Sequence, residues 1–256
     1  MLTILISGAT RGLGRECARL LIERGDRVVI GARDRARGAT VAAQLGAQSV
    51  GLDVTDPATI AQAVEQLATR YGKIDALINN AGIALDGFDG NVARTTLATN
   101  TAGAIALTDA CLPLLADGGR IVMVSSGMGQ LECLAPARRA QFADPALTRQ
   151  DLRDLLETFV AQVNDGSYAA GGWPSSAYRV SKVALNAYAR LLHRELSAHR
   201  DLRVISVCPG WVRTEMGGSA APREVGEGAA SIVWAIASQD PAIAGGFYRD
   251  GEPLAW

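Results

Sequence analysis

The chain has 256 residues, of which 48% are hydrophobic and 20% are charged, and its formal net charge is −1. These values exclude a disordered chain, which combines low hydrophobicity with high net charge, and they provide no excess of Lys and Arg for replacing counterions on nucleic acid. We therefore expect one globular domain with a full hydrophobic core and no nucleic-acid partner.

Cysteine and histidine usage indicates neither a disulfide framework nor a metal site. No two of the four cysteines have the spacing of a zinc knuckle or a redox motif. Both histidines, His193 and His199, lie among charged neighbours in one predicted helix, where we expect surface side chains. No apolar run reaches the roughly 18 residues of a membrane helix, and the chain opens on a strand-like run without a basic leader. We expect no metal, no membrane association and a cytoplasmic location, where thiols stay reduced.

Short apolar runs alternate with amphipathic stretches along the chain. The predicted strands cover 2–7, 27–32, 49–52, 74–79, 119–125, 203–208 and 246–249. The predicted helices cover 12–24, 34–45, 57–71, 91–115, 175–199 and 223–238. This alternation predicts an α/β fold: a doubly wound parallel sheet of about seven strands with helices on both faces.

The first predicted strand is followed by a glycine-rich turn, Gly8–Gly14, that opens the first helix. Glycine lets backbone N–H groups approach a phosphate at a helix N-terminus, where the partial positive charge favours an anion. Three glycines alone are also compatible with an ordinary turn. At the first strand-to-helix junction of a doubly wound sheet, however, they predict a dinucleotide site.

The end of the second strand distinguishes the two nicotinamide cofactors. NAD sites usually place a carboxylate here against the ribose 2′-OH, whereas this chain has Ala32 followed by Arg33. A guanidinium matches a 2′-phosphate in charge and geometry, and Arg11 could add a second positive charge. Two alternatives remain open. Asp34 could be the carboxylate of an NAD site, or Arg33 and Asp34 could form a solvated pair at the start of a helix. The sequence favours NADP.

Two later strand ends carry further candidate cofactor contacts. Asp53 could accept a hydrogen bond from the adenine amino group, or it could cap the next helix, although Asp56 is better placed for the cap. The segment 79–82, Asn-Asn-Ala-Gly, combines small residues that let backbone lie against a planar ligand with Asn, which tolerates unusual backbone angles. A loop-stabilising role for this segment remains compatible.

Tyr178 and Lys182 stand at i and i+4 on one face of a predicted helix. A nearby ammonium favours phenolate, which makes a phenol with a pKa near roughly 10 a usable acid or base. Without a functional role, Tyr178 and Lys182 would be ordinary helix neighbours.

Ser125 and Ser126 end a strand at the ligand-binding edge, and we expect only one of them to face the site. Asn100 lies inside a predicted helix, an unfavourable place for Asn, where it could hold a water that relays protons or could simply bend the helix.

The stretch between Ser126 and Ser175 interrupts the alternation of strands and helices and carries a helix of its own. Apolar side chains recur there with a period of 3.6 residues, at Leu152, Leu155, Leu156, Phe159, Val160 and Val163. Thr148 and Asp151 resemble a capping box. This insertion is too long to be a passive loop, so we expect the apolar stripe to pack on the parent domain.

Taken in order, these motifs resemble the short-chain dehydrogenase/reductase family over nearly the whole chain. The segments 172–178, 208–214 and 32–34 are further similar to those of monomeric carbonyl reductases, which share an insertion before the tyrosine. The resemblance implies a single Rossmann domain over 1–256 with a helical insertion over 130–174. It also implies NADPH as cofactor, a small-molecule carbonyl substrate, and a monomer, because the insertion covers the helices with which other members oligomerise.

The resemblance implies a role for each matching residue. Tyr178 is the general acid, Lys182 lowers its pKa and binds the nicotinamide ribose, Ser126 polarises the carbonyl, and Asn100 completes a proton relay. Val212 and Thr214 contact the carboxamide side of the nicotinamide. The predicted cofactor-binding residues are Gly8, Thr10, Arg11, Gly12, Leu13, Gly14, Arg33, Asp53, Val54, Asn80, Ala81, Gly82, Tyr178, Lys182, Pro209, Gly210, Val212 and Thr214.

Two alternatives to carbonyl reduction remain open. One is an NAD(P)-dependent secondary-alcohol dehydrogenase working in the oxidative direction. The other is a non-catalytic nucleotide sensor on the same fold, since fold alone does not determine activity. The sequence leaves the substrate undetermined, because Trp173 and Trp211 fit either an aromatic wall for a ketone or ordinary packing.

Overall fold

Eight strands form one sheet in the computed structural model, which describes residues 1–256. They are β1 (Thr3–Ser7), β2 (Arg27–Ala32), β3 (Gln48–Gly51), β4 (Ile74–Asn79), β5 (Leu115–Val124), β6 (Leu202–Val207), β7 (Phe247–Arg249) and β8 (Glu252–Pro253). Their order is β3-β2-β1-β4-β5-β6-β7-β8, and all neighbours are parallel except β7 and β8. The order reverses between β1 and β4, which places a ligand crevice at the carboxyl ends of these strands. The predicted parallel sheet is confirmed, with the short antiparallel β8 added.

Nine α-helices surround the sheet. They are α1 (Gly12–Glu23), α2 (Arg35–Leu45), α3 (Pro57–Tyr71), α4 (Gly90–Leu97), α5 (Gly103–Cys111), α6 (Pro136–Ala143), α7 (Arg149–Asn164), α8 (Ala177–Ser197) and α9 (Val225–Ala237). Asp34, Asp56 and Ser176 cap α2, α3 and α8 by accepting hydrogen bonds from first-turn backbone N–H groups. Side-chain caps of this kind fix where these helices begin.

The sheet is buried on both faces, as its continuous apolar runs predict. In β5, Ile121 and Met123 contribute to a core shared with α3, α4, α5, α7 and α8. Val122 and Val124 face the opposite core, which the sheet shares with α1, α2 and α9. No helix of the chain combines the length and apolar character that a membrane crossing requires.

The single helix predicted over 91–115 is wrong, because a π-helical turn at Ala98–Ala102 separates α4 from α5. Just beyond this turn, α5 packs closely on the loop after β3: a Cβ on Gly103 would lie 2.8 Å from the Val54 carbonyl oxygen. Asn100 lies inside the π-helical turn and is buried. Such turns occur frequently at functional sites.

The insertion folds as two helices, α6 and α7. Of the predicted stripe on α7, Leu152, Leu155, Phe159 and Val163 are buried, whereas Leu156 and Val160 are half-buried. Helix α7 packs against α4 and α8 of the parent domain, and Thr148 and Asp151 form the predicted capping box.

Candidate active site

The glycine turn and the start of α1 leave an anion-binding surface free of competing protein groups. Gly8 and Gly12 have positive φ angles of 66° and 51°, which favour glycine. A Cβ on Gly14 would lie 2.7 Å from the Gly8 carbonyl oxygen. Arg11 occupies the N-cap of α1 without a capping side-chain hydrogen bond, and the first turn carries no acidic residue. The first N–H groups of α1 therefore have no capping side chain and can hold a phosphate, so the turn fits the expected dinucleotide.

Asn80 fixes the loop after β4 to the glycine turn. Its side-chain Nδ2 donates to the carbonyl oxygens of Ser7 (2.9 Å) and Gly8 (3.0 Å). The backbone N–H groups of Asn80 and Ala81 both donate to Ser7 Oγ at 3.0 Å. The loop-stabilising role is therefore observed, and the small residues at 81–82 line the same crevice.

The end of β2 presents an exposed guanidinium and no free carboxylate. Arg33 is exposed, and none of the ion pairs in the chain involves it. Asp34 caps α2 by accepting from the Arg37 N–H at 3.0 Å, so its carboxylate is engaged in the helix start. The arrangement fits a 2′-phosphate better than a free ribose hydroxyl.

Arg11 differs from its expected role as a second free positive charge. Its guanidinium is paired with Glu215, from the segment after β6. This pair joins the glycine turn to the loop that follows Pro209, so Arg11 is partly neutralised in the protein alone.

Asp56, and not Asp53, caps α3. Asp56 caps α3 by accepting from the Ala58 N–H at 2.9 Å. The Oδ1 of Asp53 accepts from the backbone N–H and hydroxyl of Thr55 at 2.9 and 2.7 Å, so this carboxylate does not cap α3. The neighbouring Val54 is buried against the start of α5.

Tyr178 and Lys182 lie on adjacent turns of α8, and the Lys182 Nζ is 5.6 Å from the centroid of the Tyr178 ring. The Nζ donates to the Val124 carbonyl oxygen at 2.8 Å, which places it beneath the end of β5. Burial lowers the pKa of Lys182 from 10.5 to about 8.

The expected lowering of the tyrosine pKa by Lys182 is not found in the protein alone. Burial raises the pKa of Tyr178 above its ordinary value, and the neighbouring Ser126 hydroxyl acts in the opposite direction. The phenol therefore retains its proton at neutral pH.

Of the two serines after β5, Ser126 is the one near enough to Tyr178 to lower the pKa of the phenol. Its Oγ also accepts from the Met128 N–H at 3.1 Å and so caps the short 3₁₀ turn Gly127–Gly129. Ser125 is buried, and its hydroxyl has no partner in the chain. The assignment of Ser126 agrees with this geometry.

Asn100 joins the loop after β4 to the helix that carries Tyr178 and Lys182. Its Oδ1 accepts from the Ile83 N–H at 2.8 Å, and its Nδ2 donates to the Ile83 carbonyl oxygen at 2.9 Å and to Ser181 Oγ at 3.0 Å. A Cβ on Gly82 would lie 3.3 Å from Asn100 Oδ1 and 3.8 Å from Lys182 Nζ. The absence of a side chain on Gly82 therefore keeps open the space beside these two polar groups.

The loop after β6 closes the crevice opposite the glycine turn. Gly210 follows Pro209 and has a φ of 84°. A Cβ on Gly12 would lie 3.5 Å from Thr214 Cγ2, which places Thr214 against the glycine turn. Val212 is buried beside the start of α9, where a Cβ on Gly228 would meet it.

The two tryptophans considered as a substrate wall lie in different environments. Trp173 is buried in the insertion core, 5.2 Å from the Phe159 ring centroid, and its Nε1 donates to Gln162 Oε1. Trp211 is 58% exposed in the loop after β6. Trp173 therefore contributes to packing, and only Trp211 faces solvent.

The sequence model of a family described as short chain dehydrogenase matches residues 2–136 and 162–224. The chain belongs to the short chain dehydrogenase family. Its members are oxidoreductases acting on carbonyl or CH–OH groups. The family model leaves 137–161 unmatched, which is the part of the predicted insertion 130–174 that contains most of α6 and α7.

Individual relatives agree with this membership. The chain is 36% identical over 247 residues to carbonyl reductase [NADPH] 1 of Mus musculus, covering 90% of this chain and 88% of that protein. Its structure resembles salutaridine reductase from Papaver somniferum, with a TM-score of 0.89, 28% identity and coverage of 98% and 100%. It also resembles carbonyl reductase Sniffer of D. melanogaster, with a TM-score of 0.77, 28% identity and full coverage of both chains.

Proposed function

We propose that this short chain dehydrogenase reduces a small-molecule aldehyde or ketone to an alcohol with NADPH. The observation that carries this function is that Ser126, Tyr178 and the buried Lys182 meet at the carboxyl end of β5, where the Lys182 Nζ donates to the Val124 carbonyl oxygen. They stand at the strand edge where the glycine turn and Thr214 form the crevice. The curated relatives named carbonyl reductase [NADPH] support the same reaction and cofactor.

The exposed Arg33 supports NADPH as the cofactor. A guanidinium forms charge-assisted hydrogen bonds with a 2′-phosphate, and Asp34 is engaged as a helix cap. The unclaimed N–H groups at the start of α1 would hold the pyrophosphate.

The chain's own residues would orient the carbonyl and supply a proton. When bound, NADPH supplies the hydride for the carbonyl carbon. The Ser126 hydroxyl donates a hydrogen bond to the carbonyl oxygen and stabilises its developing negative charge. Tyr178 transfers its phenolic proton to the same oxygen, and Lys182 stabilises the phenolate that remains. Asn100 would hold a water in the space beside Gly82 and complete a path for proton return.

The raised pKa of Tyr178 keeps the phenol protonated at neutral pH, as the reducing direction requires. The alternative, an NAD(P)-dependent secondary-alcohol dehydrogenase, uses the same groups in the opposite direction. Initial rates in both directions, at matched cofactor saturation, distinguish the two.

The decisive assay follows NADPH absorbance with a panel of aldehydes, aryl ketones and quinones. We expect substrate-dependent oxidation of NADPH with at least one of these classes. Tight NADPH binding without turnover on any member of the panel would contradict the proposal and favour the nucleotide-sensing alternative.

The proposed oligomeric state is a monomer. Helix α7 covers α4 and α8, and Arg149 at its start forms ion pairs with Asp109 and Glu195 at 2.8 Å each. Sizing chromatography with light scattering should give the mass of one chain, 26.8 kDa; a stable dimer or tetramer would contradict this assignment.

The proposed location remains the cytoplasm. All four cysteines are free, and three of them are buried, an arrangement that suits a reducing compartment. Fractionation of the native cells, followed by immunodetection, tests this directly.

A further inference from the structure

The sulfur of Cys208 accepts hydrogen bonds from three different segments of the chain. The donors are the backbone N–H of Gly127 at 2.9 Å, the backbone N–H of Gly210 at 3.3 Å and Nη2 of Arg249 at 3.1 Å. Cys208 is 1% exposed, so water does not compete for these bonds. Gly127 directly follows Ser126, and Gly210 belongs to the loop that closes the crevice. One sulfur therefore joins two functional loops to β7.

Arg249 is committed to this sulfur and to no carboxylate. The neighbouring Asp250 is paired with Arg223 at 2.6 Å, and the only side-chain hydrogen bond of Arg249 goes to Cys208. The Arg249 Nε is buried without a partner. Burying part of a guanidinium without a carboxylate partner costs free energy. No ion pair offsets this cost at Arg249, whose one side-chain partner is the sulfur.

The Arg249 guanidinium lies against Gly127. A Cβ on Gly127 would lie 2.8 Å from Arg249 Nη2 and 3.7 Å from Cys208 Sγ. Gly127 does not have a positive φ, so its backbone conformation does not require glycine. The guanidinium thus occupies the position that a larger residue after Ser126 would need.

We propose that Cys208 and Arg249 are positioning residues that hold Ser126 in line with Tyr178. This inference rests on the proposed role of Ser126 in carbonyl reduction. The sulfur fixes the Gly127 N–H, and the guanidinium fixes the sulfur from the opposite side. Together they set the direction of the peptide that carries the Ser126 side chain. A displacement of about 1 Å at such a group lowers a rate by about 100-fold.

The kinetic test compares Cys208→Ala and Arg249→Ala with two matched controls. Cys111→Ala removes another buried thiol, and Arg203→Ala removes a half-buried arginine from the far end of β6. We expect the first pair to lower kcat by about 10-fold or more with little change in KM for NADPH. We expect the controls to leave kcat within about 2-fold, and Cys208→Ser, which keeps an acceptor, to recover part of the loss.

Two double variants separate positioning from a general structural defect. In a Ser126→Ala background, Arg249→Ala should cost little further activity, because the group that it positions is already absent. Gly127→Ala alone should lower kcat, whereas adding it to Arg249→Ala should cost much less, because the colliding guanidinium is gone. Two results would overturn the proposal. One is that the losses of activity are fully additive in both double variants; the other is that kcat of Cys208→Ala and of Arg249→Ala stays within about 2-fold of wild type.

A readout that needs no turnover distinguishes this inference from the proposed function. The Gly127 amide should exchange slowly with solvent in the wild type, and Cys208→Ala should accelerate its exchange by about 10-fold or more in an NMR measurement. A protected Gly127 amide in a protein with no reductase activity would contradict the proposed function while leaving the sulfur contact intact. An amide that exchanges equally fast in the wild type and in Cys208→Ala would overturn the positioning role itself.

Discussion

Asn100 donates a 3.0 Å hydrogen bond through its side-chain amide to the hydroxyl of Ser181, the residue directly before Lys182 on α8. The same side chain forms two hydrogen bonds with the backbone of Ile83. The π-helical turn at Ala98–Ala102 therefore carries a side chain that joins the crevice loop to the helix of the proposed proton donor.

We predict that Asn100→Ala lowers both activity and stability. The variant leaves the Ile83 N–H and carbonyl oxygen without their partner, and an unpaired buried polar group costs about 1–3 kcal/mol. Urea unfolding should show this loss, and kcat should fall by about 10-fold or more. Ser181→Ala removes one of these bonds and should cost less. Equal stability of Asn100→Ala and the wild type would contradict the account.

We predict that Arg33→Ala selectively weakens NADPH. Loss of a charge-assisted bond to the 2′-phosphate should raise KM for NADPH by about 10-fold or more. KM for NADH should hardly change, because NADH has no 2′-phosphate. Arg153→Ala, which removes an exposed arginine from α7, serves as the control. An equal effect of Arg33→Ala on both cofactors would assign the selectivity to other residues.

We predict that Lys182 makes the stability of the cofactor-free protein rise with pH above 8. Its pKa is about 8 in the folded chain and 10.5 as an ordinary lysine, so the unfolded chain binds more protons between these values. The free energy of unfolding, taken as wild type minus Lys182→Met, should therefore rise across this window by up to about 1.4 kcal/mol per pH unit. Burial raises the pKa values of Cys17 and Cys111, so these thiols make stability fall as the pH rises. They do so equally in wild type and Lys182→Met, and subtracting the two unfolding free energies removes their contribution.

A difference between wild type and Lys182→Met that stays flat between pH 8 and 10.5 would contradict this prediction, because the ammonium would then be buried without cost.

We predict that Phe159→Ala destabilises the protein by about 3–5 kcal/mol, the usual cost of deleting a buried phenylalanine. Phe159 is fully buried between Trp173, at 5.2 Å, and Phe88, at 6.3 Å between ring centroids. Glu157→Ala on the exposed side of α7 should change stability by less than about 0.5 kcal/mol. Similar unfolding midpoints for both variants would mean that α7 is not packed as described.

The sheet and most of its helices could be predicted from the sequence because their signals are local. Apolar runs, glycine turns and caps such as Asp56 act within a few residues, and β2 and β4 have the predicted bounds. The two-residue β8 gives no periodic signal because it is too short. Helix α6, Pro136–Ala143, has a single buried residue, Phe142, and so lacks an apolar stripe.

The candidate site was predictable only in part. The assignment of Ser126 as the partner of Tyr178, 52 positions apart, came from the family resemblance. Three features of the site depend on distant segments meeting in space. They are the burial that raises the pKa of Tyr178, the pairing of Arg11 with Glu215, and the contact between Cys208 and Arg249. No spacing in the sequence encodes these contacts, because each joins a different pair of loops or strand ends.

In the proposed reaction, Tyr178 gives its proton to a carbonyl substrate while NADPH is bound in the adjacent crevice. This role is tested by comparing single-turnover oxidation of NADPH in wild type and Tyr178→Phe, with NADPH affinity measured separately by fluorescence. We predict that the NADPH affinity is unchanged and that the turnover rate falls by about 100-fold or more. Turnover by Tyr178→Phe near the wild-type rate would contradict it.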